Sequence, residues 1–206
     1  DHPVVRNSMF HRLLAGRMTP EDYQLFCSEY NNSSQYAFYN GSLPAALQAH
    51  NDAAWQHYIA HIIEEESKPH PHHLMFEQFM NTCGIFRKEP DQPALEYARK
   101  MQAGYTAELP FAAGYALGVE VEAGYEIAVL SKGLSHHFEK QLTETKWFDV
   151  HLAEDQEVEH ARISVAMVED VLKNGGNLSD VRAGFLQFCD DVNEFMESVH
   201  QNLDHS

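Results

Sequence analysis

Cations are scarce in this chain. Lysine and arginine number 14 against 31 aspartates and glutamates, a formal net charge of −17. Such a field repels a phosphate backbone, so nucleic acid is excluded as an expected partner, and most of the acids read as a solvated surface. Cysteine is also sparse. Cys27, Cys83 and Cys189 are widely separated and form no C-x-x-C pair, which excludes a disulfide framework or zinc ribbon and suits a reducing, cytoplasmic setting. No run approaches the ~18 apolar residues of a membrane span, and no signal-peptide pattern opens the sequence, so no membrane partner is expected. Alternating strand patterning is nearly absent.

Helix punctuation is abundant instead. Apolar residues fall at helical spacing over 3–15 and stop at Gly16. Thr19-Pro20-Glu21-Asp22 supplies an N-cap, a proline at the first helical position and acids in the first turn, opening an aromatic-rich helix to about residue 40 that Gly41 and Pro44 end. Further helices are expected over 52–67, 71–83, 91–104 and 109–132, the last rich in alanine and glycine. Thr143 caps a helix over 144–173, and Ser179 caps one over 180–202. About eight helices with short loops and no linker predict one all-α domain over 1–206, an antiparallel helical bundle. With 206 residues, 44% of them hydrophobic, there is apolar mass for one core.

Histidine is the over-represented residue, 14 in all, and three segments combine it with carboxylates. In the first, Glu64, Glu65 and Glu66 crowd a helix C-terminus, where the dipole disfavours negative charge. His70, His72 and His73 follow a proline break, so carboxylate and imidazole can converge on a metal; an exposed acidic turn beside a His-rich loop is an equally good reading. In the second, Glu120 shares a face with Ala113, Ala116, Leu117, Ala123, Gly124 and Ile127. A carboxylate there is costly unless paired or metal-bound. Glu122 points elsewhere, beside Phe111, Tyr115 and Val129, and Glu126 reads as a surface residue. In the third, His151 and Asp155 share a face bordering a core stripe that includes Trp147, Val158 and Val165, and Glu157-x2-His160 makes a second pair. His160 lies about half a turn around from His151, so both reach one site only if the helix is interrupted, for example by a π-bulge. Carboxylate and imidazole without thiolate suit iron or manganese better than structural zinc.

With these residues assembled, the chain resembles the haem-oxygenase-like di-iron oxidases, which share the fold of haem oxygenases and TenA-type thiamin-salvage enzymes. That family's pattern is Glu-x6-His, a lone Glu on a later helix, then His-x3-Asp-x2-His. Glu65 and His72 fit the first element, with Glu66 and His73 the alternative at the same spacing; Glu120 best fits the lone Glu; His151 and Asp155 fit the start of the third. The position three after Asp155 is Val158, and the next histidine, His160, comes two residues late. The resemblance implies a metal set of Glu65, His72, Glu120, His151, Asp155 and His160 holding two non-haem irons, or manganese in their place. It further implies an oxidoreductase that activates dioxygen on a small organic substrate, with Tyr30, Tyr36, Phe38, Tyr115 and Tyr125 as candidate pocket aromatics. A homodimer is compatible with it.

Other branches fit less well. TenA-type enzymes use a cysteine on the small-residue helix, where this chain has none, and Gly114-x3-Gly118 only faintly echoes the glycine-rich segment of haem oxygenases. A cofactorless relative of the pyrroloquinoline-quinone synthases stays open. A ferritin-like reading needs two Glu-x2-His motifs; Glu157/His160 and Glu197/His200 supply them, but in the wrong order along the chain. The irregular third element supports a different alternative, a metal-free small-molecule binder that keeps the fold without redox activity.

Overall fold

The computed structural model describes residues 2–152 and 156–204, without the side chains of 156–159 and 204. All regular structure among these residues is helical. A short 3₁₀ turn, Pro3–Arg6, begins with the His2 imidazole accepting from the Val4 amide. Then come α1 (Ser8–Leu14), α2 (Pro20–Asn32), a π-helical segment (Ser33–Ser42), α3 (Leu43–Ala49), α4 (Ala53–Glu65) and α5 (His72–Thr82). They are followed by α6 (Gln92–Tyr105), α7 (Leu109–Glu144), α8 (Lys146–Leu152), α9 (Gln156–Lys173) and α10 (Leu178–Asp204). None of the described helices is long and apolar enough to cross a membrane.

Local chemistry accounts for several boundaries. Thr19 and Asp22 form a reciprocal capping box at the start of α2, the Thr19 hydroxyl accepting from the Asp22 amide and the Asp22 carboxylate accepting from the Thr19 amide. Asp52 caps α4 through the Ala54 and Trp55 amides, both at 3.0 Å. The cap of α10 is Asn177, whose side chain accepts from the Ser179 amide, rather than Ser179 itself.

Two expected helices are divided. The helix predicted to end near residue 40 continues through the π-helical segment into α3. There the wider turn directs the Tyr36 carbonyl at position 41, where an added Cβ would lie only 2.2 Å from it, so glycine is required. The Ser42 hydroxyl donates to the Ala37 carbonyl at 2.5 Å and satisfies an acceptor in the same stretch. The helix predicted over 144–173 is instead the end of α7, then α8, then α9. Val165, read from sequence as core, is 44% exposed.

A continuous apolar core joins α1 to α10, with Trp55, Tyr58, Tyr105 and Tyr115 fully buried at its centre. The small residues of α7 let it approach α10 backbone to backbone. A Cβ on Gly114 would meet the Val181 carbonyl oxygen at 1.8 Å, and one on Gly184 would meet the Phe111 carbonyl oxygen at 2.0 Å. This crossing sets where one face of α7 stands in the interior, and that face carries Glu120, Glu122 and Glu126.

Candidate metal centre

Glu66, His72 and His151 converge. Each offers a ligand atom, and the three atoms lie within 4.8 Å of one another. Glu66 is the C-cap of α4, His72 opens α5 and His151 lies in the last turn of α8. The proline break between α4 and α5 folds the chain back, with the His72 amide donating to the Glu66 carbonyl at 3.0 Å. The backbone therefore closes the loop that presents the two side chains together.

Hydrogen bonding fixes which ring nitrogens face the group. His72 Nε2 lies 2.9 Å from the Lys68 carbonyl. A carbonyl only accepts, so Nε2 carries the proton, and in a neutral ring Nδ1 presents a lone pair. That Nδ1 is buried, makes no hydrogen bond of acceptable geometry, and sits 3.3 Å from Glu66 Oε1. Two electron-rich atoms this close need a cation between them, either a proton or a metal. His151 is held likewise by its other nitrogen: its Nδ1 lies 2.7 Å from the Trp147 carbonyl, leaving the Nε2 lone pair free. Backbone carbonyls holding the far side of each imidazole are the usual supports of metal-ligating histidine. The ring centroids of His72 and His151 are 4.6 Å apart.

The electrostatics agree with two dissimilar imidazoles. Burial, with the neighbouring His72, lowers the His151 pKa to about 4, so this ring is neutral at physiological pH. Burial opposes protonation of His72 too, but the Glu66 carboxylate outweighs it and raises the His72 pKa. Burial likewise opposes ionisation of Glu66, yet the hydrogen bond and charge of His72 hold its pKa below the ordinary value.

Glu120 and His160 stand in the same cavity, which encloses about 130 Å³. Glu120, nearly inaccessible, accepts from the Tyr58 hydroxyl at 2.7 Å and lies 3.6 Å from His160 Nδ1. The His61 and His160 rings meet edge to face at 6.0 Å. His151, from α8, and His160, from α9, both line this cavity. Asp155 lies outside the described residues, as does the side chain of Glu157.

Other expected residues are placed elsewhere. Glu65 turns away from the group toward Lys68 at 3.7 Å, and Lys68 also bonds Glu64 at 2.5 Å. Lys68 is thus the compensating cation for the two outer acids, which leaves Glu66 to turn inward. His73 is buried against the Tyr39 ring. Tyr30 and Phe38 line the cavity. Tyr115 instead donates to Asp191 at 2.9 Å, Tyr125 donates to the Val5 carbonyl at the surface, and Tyr36 lies beneath the Arg87 guanidinium.

Two acids carry a correction. Glu122 and Glu126 both line the cavity, whereas the sequence reading turned Glu122 elsewhere and put Glu126 at the surface. Positions 119 to 127 that line it span about 160° of α7, with Glu120 at one border and Glu122 and Glu126 at the other. Burial raises the Glu122 pKa well above its ordinary value, and the Glu126 charge adds to this. Burial pushes Glu126 up to about 7 against a hydrogen bond from Tyr30.

The all-helical architecture is haem-oxygenase-like, a fold that solved structures share. A domain of unknown function with a haem oxygenase-like fold from Shewanella denitrificans superposes with a TM-score of 0.76 at 17% identity, covering 98% of this chain and 87% of that one. A TenA homologue from Pseudomonas syringae pv. tomato gives 0.73 at 13% identity, with 96% and 86% covered. A CADD-like protein of unknown function from Nostoc punctiforme gives 0.63 at 18%, with 97% and 85% covered. No curated protein matches the chain. The profile of the iron-containing redox enzymes matches residues 32–191, and the chain belongs to that family.

The residues present suit iron. The inward donors are carboxylate oxygen and imidazole nitrogen without thiolate, and the orphaned His72 Nδ1 is a buried lone pair that a cation would satisfy.

Proposed function

We propose that the protein is a non-haem iron oxidoreductase that uses dioxygen to oxidise a small organic molecule bound beside the metal. Glu66, His72 and His151 hold one iron, with manganese as the substitute. Glu120 and His160, joined by Asp155 from the chain between α8 and α9, hold a second. The observation that carries this reading is the facing pair of His72 Nδ1 and Glu66 Oε1 at 3.3 Å, with the opposite edge of the imidazole already committed to the Lys68 carbonyl.

Ferrous iron supplies one-electron chemistry and an open position for dioxygen. The protein's own groups do the rest. The Lys68 and Trp147 carbonyls orient the two imidazoles. Tyr58 holds the Glu120 carboxylate in place by donating to its Oε1, and the aromatic walls keep bulk water away from the reacting atoms.

Anaerobic loading with Fe(II), desalting and metal analysis test the proposal. Two irons per chain, and a visible absorption that rises and decays after an oxygen pulse, are expected. Failure to retain iron, together with no thermal stabilisation by Fe(II), would reject it in favour of a metal-free small-molecule binder.

A further inference from the structure

Away from the histidines, the cavity has a second polar feature. Glu122 is 93% inaccessible, with 7% relative exposure, and its Oε1 has no hydrogen-bond partner. It lines the cavity one turn from Glu126, which accepts from the Tyr30 hydroxyl. The walls around this pair are aromatic: Tyr97 and Phe195 stack with centroids 4.8 Å apart, and Phe188 closes a further side. Four glutamates line the cavity, and no lysine or arginine is among its described lining residues.

The three histidines that line the same cavity are engaged at its other end. His72 and His151 stand with Glu66, and His160 stands with Glu120. One buried carboxylate, Glu122, and one half-buried carboxylate, Glu126, are thus left on an apolar wall, with one tyrosine hydroxyl donating to Glu126. An unpartnered buried carboxylate is costly, and a cation placed against it offsets that cost. Aromatic faces around the acids favour an organic cation over a hydrated inorganic one, through cation–π attraction and apolar contact. A carboxylate or phosphate ligand would meet only like charge.

We infer that Glu122 and Glu126 form a subsite for the protonated amino group of the substrate, so that the enzyme acts on a small amine. The cavity is close in size to the ~150 Å³ apolar cavity that accommodates benzene, which limits the occupant to about one ring or a short chain. This inference rests on the proposed function only in calling the ligand a substrate. The subsite itself involves none of the proposed iron ligands.

Benzylammonium, benzyl alcohol and benzoate share one body and differ in charge, and their binding to the metal-free protein, measured by calorimetry, tests the subsite. Benzylammonium should bind most tightly and benzoate should not bind detectably. The E122Q/E126Q double variant should lose roughly tenfold or more in benzylammonium affinity while its affinity for benzyl alcohol stays within about twofold. Glutamine keeps the shape of both side chains; if the double variant fails to fold, E126Q alone should show the same selective loss, in smaller measure.

Iron content, measured in parallel, separates this inference from the proposed function. A protein that binds no iron but discriminates the amine keeps the subsite and loses the oxidoreductase reading. Benzoate binding as well as the amine, amine affinity indifferent to the substitutions, no measurable amine binding, or loss of iron from the double variant would each overturn the subsite.

Discussion

The two ends of the cavity treat buried charge differently. At the histidine end, Glu66 has a raised-pKa imidazole against it, and each of His72 and His151 is fixed by a backbone carbonyl. At the other end, Glu122 has an oxygen with no partner, and Glu126 has only the Tyr30 hydroxyl. Both ends belong to one cavity, so enclosure alone does not distinguish them. What differs is the supply of proton-accepting bases. The first end pairs its charges internally, Glu66 against His72, in a group whose ligand atoms could hold a metal ion. The second is left short of positive charge.

The comparison is most sharply broken at the metal end. Replacing His72 or His151 with alanine should lower Fe(II) affinity by more than about 100-fold, beyond the range typical of losing a mere supporting group. Anaerobic Fe(II) titration measures this. E65A should retain iron while E66A loses it; the reverse result would return the ligand role to Glu65.

The frame common to both ends comes next. Substituting valine for Gly184 forces a side chain into the Phe111 carbonyl and should cost about 3 kcal/mol of stability in denaturant unfolding. A smaller effect, on the order of 1–3 kcal/mol, is expected for Y58F, which removes the donor to buried Glu120. In the iron-loaded protein, Y58F should also weaken one of two metal equivalents and spare the other.

The smallest effect concerns pH at the acidic end. Glu126 titrates near 7 when folded, against an ordinary value of 4.5. The folded state therefore holds the proton more tightly, and the stability this contributes is complete below about 4.5 and lost as pH rises through 7. Thermal unfolding of the metal-free protein across that window should show this downward trend, and E126Q should lessen it, the remainder coming from the likewise raised Glu122. An unchanged slope would place Glu126 in solvent.

Much of this was legible in the chain, to a degree set by how local each determinant is. The Thr19 and Asp22 cap lies within four residues, and sequence located it. Helical arithmetic set His151 and His160 half a turn apart, and both line one cavity; the segment between them includes residues outside the described ones. The choice between Glu65 and Glu66 was not legible. A fixed spacing carries geometric meaning within a helix, but here it crosses a proline-broken turn where Lys68 draws the outer acids away. The π-helical segment was missed because its signature is a carbonyl aimed at Gly41, a contact that composition does not announce. Glu126 was misjudged for another reason: periodicity defines the faces of a helix but not which neighbours cover them. Tyr30, from α2, and the aromatic side chains of α6 and α10 surround that part of α7.

The glycine crossing between α7 and α10 has a consequence for selectivity. Main chain resting on main chain leaves α7 little freedom to slide, and Glu120 and Glu126 stand six residues apart on it, ~9 Å along the axis at about 1.5 Å per residue. In the proposed amine-oxidising enzyme the helix would serve as a fixed gauge between the anchored nitrogen and the atom to be oxidised. Moving the acid from 126 to another turn would change that interval by ~5.4 Å, and with it the length of molecule that fits.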